Sequence, residues 1–384
     1  MSAERDQGFD RNGFGITAAI LCLIVLSALA LFGVSLQINE HESQIRSSSR
    51  TIAFYAAETG LVRGLENWRR PDVIEEGETW LVDEGTLMGG ARYRVEGMKL
   101  DDAGNVHGLF AVRAVGLVGR GHTRETAMLV ATVPLGSPVH GALRTIGQVK
   151  IAGRAEVDGH DMVPPNWWDD CPPMLEHAAG VTMTDTTKMS RSGAAAVDGE
   201  PAVDENPDTT GYFSFGDMSY EEVAAEANIT LPHGTNVSGT QPVASYTFDG
   251  KCDTSDPYNW GEPEIDMTPC SDWFPIIHVT GDLTLSGSGS GQGILLVDGN
   301  LALCGGATFY GPVVVKGMVK SCGSGFRLFG GVVAGESDLN VAAGGVVVGA
   351  SQIQYSACVV ERAISRSRAG RPRPLIERPW FARR

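Results

Sequence analysis

The chain has 384 residues, enough for two or three compact units, and carries 46 Asp and Glu against 30 Lys and Arg, a formal net charge of −16. That balance argues against nucleic-acid binding and otherwise speaks only for solubility. Glycine is abundant at 49 residues and helix formers thin out after Trp68, so the body reads as mainly β.

In chain order, a polar leader of 13 residues comes first. No charged residue lies between Asn12 and Asn39, and residues 16 to 36 are almost continuously apolar. At about 1.5 Å per residue such a run suffices to cross a hydrocarbon core of about 30 Å. No proline precedes Pro71, while Phe54, Ala57, Leu61, Leu65 and Trp68 recur at helical spacing. The pattern predicts one helix from about residue 15 to about 69, its first half in lipid. Of seven cysteines only Cys22 lies in the apolar stretch. The other six predict disulfides formed in an oxidising compartment, which places the long C-terminal part outside the cytoplasm and the leader inside.

The junction Gly13-Phe14, the uninterrupted apolar helix and the run AFYAAETGL from Ala53 to Leu61 resemble the N-terminal region of the PilX family of type IV pilus assembly proteins. The resemblance covers roughly the first 70 residues. It implies that Gly13 ends a leader removed by prepilin peptidase, that Phe14 begins the mature chain, and that Ala18, Phe54, Ala57, Glu58 and Leu61 belong to an assembly helix. Most pilins have Glu at the fifth mature position, here Ala18, so the usual carboxylate pairing with a neighbour's N-terminus is absent. That departure fits a subunit at a filament end or in low copy number.

Three alternating runs, ARYRVEGMKL, LFAVRAVGLV and RETAMLVATV, predict antiparallel strands packed on the helix within a sheet unit of residues 71–138. Further on, Gly281, Gly299, Gly317 and Gly335 are each 18 residues apart between period-2 apolar runs. This repeat predicts a parallel β-solenoid over 274–361, with a candidate first coil at 139–159. Cys304 and Cys322 occupy equivalent repeat positions, and coils stacked about 4.8 Å apart bring such positions within disulfide range. Cys252 and Cys270 share the same spacing, which leaves Cys171 and Cys358 as a third candidate pair.

Between the coils, the insertion 160–273 is rich in Asp, Pro and Trp. Trp167, Trp168, Trp260 and Trp273 form either a recognition surface or a small loop-domain core. Asp169 and Asp170, with Asp253 and Asp256, are acidic pairs without the register of a calcium loop, so no metal is expected. The tail 362–384, with eight Arg against one Glu and prolines at 372, 374 and 379, reads as disordered and able to dock on the acidic body.

No cofactor is expected either. A β-helix carbohydrate enzyme would need converging carboxylates, whereas the repeat stacks Asp282 over Asn300 and Met318, and Asp298 over Lys316. Asp158, His160 and Asp161 read as a polar turn. The expected class is therefore a membrane-anchored α+β chain: a long N-terminal pilin-like helix (14–70) with a small antiparallel sheet, then the solenoid with its insertion. The expected function is that of a non-enzymatic minor pilin-like subunit or assembly factor. Its partners would be other pilin-like subunits, the inner-membrane assembly platform and, before assembly, lipid. A surface adhesin on a single-pass anchor and a membrane-anchored β-helix enzyme are the alternatives.

Overall fold

The computed structural model describes residues 11–68, 76–101, 109–119, 123–132, 135–165, 167, 171, 177–263, 268–322, 325–340, 351–370, 372–374 and 381–382. Helix α1 (Arg11–Glu66) runs for 56 residues without a proline to break it. Its second half lies on an antiparallel sheet of β1 (Thr79–Thr86), β2 (Arg92–Asp101), β3 (Leu109–Val118) and β4 (Thr123–Thr132), joined in that order. The interface is built from small residues. Ala53, Ala56, Ala57 and Leu61 are buried on the helix, and Trp68 closes the far end edge-on to Trp80 and Phe110 at 5.3 and 5.5 Å. On the sheet, β3 offers Gly116 beneath the helix, where a Cβ would collide with the carbonyl oxygen of Ala53. Helix and sheet backbones meet there because neither carries a side chain between them.

The solenoid has three faces and is parallel throughout. Its first strands are β5 (Gly141–Thr145), β6 (Val149–Gly153), β7 (Glu156–Asp158), β8 (Ala179–Met183), β9 (Met189–Gly193), β10 (Ala196–Asp198) and β11 (Val203–Glu205). A strap bearing α2 (Tyr220–Ala225) leads to β12 (Ile229–Leu231), β13 (Thr235–Val237), β14 (Ile276–Val279), β15 (Leu283–Leu285), β16 (Ser290–Gln292), β17 (Ile294–Val297) and β18 (Leu301–Leu303). Two 14-residue strands, β19 (Thr308–Ser321) and β20 (Arg327–Asn340), then turn corners within themselves before β21 (Gln352–Tyr355). On the first face the stacking order is β12, β14, β17, β19, β20, β5, β8, β11.

Chain order and spatial order therefore differ. The earliest coils stack beyond the last one, the strap returns the chain to the far end, and the final coil closes on β5 in mid-stack. Gly147 accordingly continues the glycine ladder: Gly299 donates to the Gly281 carbonyl, Gly317 to that of Gly299, and Gly147 to that of Gly335, at 3.0, 3.0 and 2.7 Å.

Alternation fills the solenoid. Ile277 and Val279, Leu295 and Val297, and Val313 and Val315 point inward on successive first-face strands. Their outward neighbours Ile294, Leu296, Val314 and Val333 are apolar too and belong to a second cluster that takes in Tyr220, Val223, Val360 and Ile364. A face covered on both sides reads as a continuous apolar run, which is what ILLV and PVVV are. The same second cluster includes Ala57 and Leu61, so one core joins the helix–sheet unit to the solenoid.

Three expectations are corrected. Among the described residues no helix is long and apolar enough to cross a membrane. Membrane anchoring and single-pass placement in the inner membrane are therefore withdrawn. The α+β class is withdrawn with them, since strands of a six-stranded and a 17-stranded sheet dominate the fold. The expected disorder of the tail is corrected over its described residues. Helix α3 (Ala357–Arg366) buries Val359, Val360, Ala363 and Ile364. Beyond it, β22 (Arg373–Pro374) and β23 (Phe381–Ala382) pair antiparallel with β4. Proline fits there because a sheet edge does not require its missing N–H.

Candidate functional site

Residues 19–29 of α1 form an apolar surface without a partner among the described residues. Ile20, Leu21, Leu23, Ile24, Leu26 and Leu29 are each more than half exposed and lie all around the helix. Ser27 turns its hydroxyl back to the Leu23 carbonyl at 2.7 Å, so the one polar side chain there needs no water. In the second half, Ala57 and Leu61 face the sheet, Phe54 and Glu58 are half-buried at its margin, and Ile52, Tyr55 and Val62 point away from it. Gly13, Phe14 and Ala18 lie within α1, and the surroundings of their side chains fall outside the described residues.

Three disulfides staple the body. Cys304–Cys322 joins adjacent coils just past the paired Leu303 and Ser321, with Cα atoms 4.5 Å apart. Cys252–Cys270, at 4.9 Å, closes a loop in which the Asn259 amide donates to the Ser245 and Asp253 carbonyls. Cys171–Cys358, at 5.8 Å, ties the connection after β7 to α3 across 187 residues of sequence.

The tryptophans of the insertion divide between core and cleft. Trp260 is fully buried in the solenoid cluster, and Trp167 stacks on Tyr310 at 5.6 Å under the guanidinium of Arg362. Trp273 is half-buried, and Trp168 lies outside the described residues. Asp253 and Asp256 each accept hydrogen bonds from backbone N–H groups two residues on, while Asp169 and Asp170 lie outside the described residues. Among the described residues no cluster of His, Cys, Asp and Glu has the arrangement of a metal site.

The main polar constellation gathers where α2 meets the first face. His278 Nε2 and Asp298 Oδ2 are 3.0 Å apart, and Lys316 Nζ lies 3.4 Å from Asp298 and 2.9 Å from Glu221 on α2. The Lys316 ammonium also sits 4.0 Å from the Tyr220 ring centre. Burial pushes the Tyr220 phenol far above its ordinary range, and the Asp298 charge reinforces this. Burial also acts to raise Asp298, but the hydrogen bond from His278 and the charges of His278 and Lys316 outweigh it and hold the carboxyl below its ordinary value. The group clamps the returning strap to the solenoid wall. Because the folded pKa of Asp298 is depressed, its contribution is complete above the ordinary value of 3.8 and disappears as pH falls through the lower folded one. Thermal melts should therefore show a smaller loss of stability on acidification from pH 5 to pH 3 in Asp298→Asn than in the parent chain. An equal loss in both would refute the clamp.

The other polar candidates have structural partners. Asp282 accepts from the Asn300 backbone and side chain, at 2.7 and 3.1 Å, and Asn300 accepts from the Met318 N–H at 2.9 Å. Asp158 accepts from the His160 backbone and ring, and Asp161 accepts from the Ala357 N–H at the start of α3.

No family model matches the chain, and no curated protein matches it. Among solved structures the chain is similar to the competence-associated pilin ComZ from Thermus thermophilus, with 12% identity over 88% of this chain and 98% of that one, at a TM-score of 0.26.

Proposed function

We infer that this chain is a pilin-like subunit or assembly factor of a type IV pilus or related filament, non-enzymatic, joined to other pilin-like subunits through α1 and carrying the β body as its displayed part. One observation carries this reading: half of a single long helix is bound to its own sheet, while residues 19–29 in its other half present apolar side chains on every side, exposed and uncovered by the rest of the described chain. Such a surface is stabilised only when other apolar surfaces cover it, at about 25 cal/mol per Å². Small residues Ala19, Ala28 and Ser27 among the leucines leave room for neighbouring helices to approach. The run from Ala53 to Leu61, similar to that of the PilX family, adds support.

A charge in this surface should prevent its coverage. The double variant Leu23→Asp, Leu26→Asp should fall at least about tenfold in sheared filament fractions, with an unchanged melting temperature of the β body. Retention of the variant in filaments at the parent level would remove the reading.

A further inference from the structure

The geometry points to a binding site for a neutral oligosaccharide in the cleft between the helix–sheet unit and the solenoid. The cleft has a volume of about 690 Å³, within the usual range of ligand sites, about 300–1,000 Å³. Five separate segments wall it: the end of α1, the middle of β1, Asn228 just before β12, the residues just before β14, and the end of α3 with the turn after it.

Its aromatic wall is fixed. The half-buried Trp273 donates its indole N–H to the Asn259 carbonyl at 3.1 Å, which holds the ring in place. Trp68, which also lines the cleft, is locked by Trp80 and Phe110. A rigid indole face is what the apolar C–H side of a sugar ring stacks on, since little side-chain entropy is lost when it docks.

The polar wall accepts hydrogen bonds. The β1–β2 register breaks between Leu81 and Asp83, and both residues at the break, Val82 and Asp83, line the cleft. Tyr93 and Asn67 donate to Oδ2 of Asp83, at 3.1 and 3.5 Å, and so orient the carboxylate. Glu66, at the end of α1, also lines the cleft. Hydroxyl groups are the natural donors to such acceptors.

Charge and edge geometry select among ligand classes. Glu66, Asp83 and Asp272 face Arg366 and Arg368 around the cleft, with Arg366 paired to Asp272 and Arg368 to Glu226. The guanidinium groups are thus already neutralised, which disfavours phosphate or another anion. A peptide adding a strand to the free edge of β1 would meet the bulge at Val82 and the carboxylate beside it, features that blunt an edge. A neutral, hydroxyl-rich chain meets neither obstacle.

The test is isothermal titration of the full chain with four neutral tetrasaccharides, cellotetraose, maltotetraose, mannotetraose and chitotetraose, and with a lysine-containing octapeptide. At least one sugar should bind, and Asp83→Asn and Trp273→Ala should each weaken it about tenfold or more. Melting curves check that both variants fold, and Trp273→Phe, which keeps a ring, should retain part of the binding. No heat with any sugar up to about 10 mM, equal affinity in the folded variants, or binding of the octapeptide alone would overturn the assignment. The cleft is remote in sequence from residues 19–29, so the aspartate variants of α1 should bind sugar like the parent, and failure of one proposal leaves the other standing.

Discussion

Gly116→Leu is expected to free the second half of α1 from the sheet while the solenoid stays folded. Whatever side chain is placed at 116 meets the Ala53 backbone first, which cannot rotate away as a side chain tip would. Overpacking against a movable neighbour costs about 1–3 kcal/mol, and here the upper end is the least expected. Relief requires lifting the helix, and with it Ala53, Ala56, Ala57 and Leu61, out of their buried contacts. Hydrogen exchange should report the change locally: amides of residues 53–66 lose protection while those of β14 and β17 keep theirs. Unchanged protection along α1 would mean that the close approach is not what fixes the helix.

The second large effect is expected at the seam where the last coil meets the first. Cys171 and Cys358 close a loop of 187 residues, which contains nearly the whole solenoid. A crosslink over so long a loop removes on the order of 5 kcal/mol of chain entropy from the unfolded state. Cys304–Cys322 spans only 18 residues and joins strands that are already hydrogen-bonded. By the same reasoning it contributes about 3 kcal/mol. Calorimetry should therefore show a larger drop in melting temperature for Cys171→Ser, Cys358→Ser than for Cys304→Ser, Cys322→Ser. The reverse order would show that the mid-stack seam is held by packing of β20 on β5 and needs no staple.

Local patterns in the sequence carry much of this architecture. The absence of proline before Pro71 and the spacing of Ala57 and Leu61 mark the helical segment, and the 18-residue glycine spacing marks the coils with their ladder. What could not be read is which coil lies beside which. A parallel coil presents similar backbone edges above and below, so nothing in the run from Ile146 to Gly159 says that it stacks on β20. Strands of three residues such as β11, β12 and β13 are too short to show period-2 alternation, and they lie within what reads as a loop-rich insertion. Helix α3 did leave a signal: Val359, Val360, Ala363 and Ile364 fall on one helical face. The arginines that follow obscure it, because a dense positive charge reads as disorder until acidic partners such as Glu226 and Asp272 are known to face it. The cleft was illegible for a different reason: residues 66–68, 82–83, 228, 272–274 and 365–368 come together only through the fold.

If α1 joins this chain to other pilin-like subunits, the chain is recovered in sheared filaments of its own cells with a processed N-terminus. Mass spectrometry of that material should find the chain present and beginning at Phe14, after removal of the leader ending at Gly13. A chain absent from the filaments, or carrying an intact Met1, would rule out α1 as a processed filament helix.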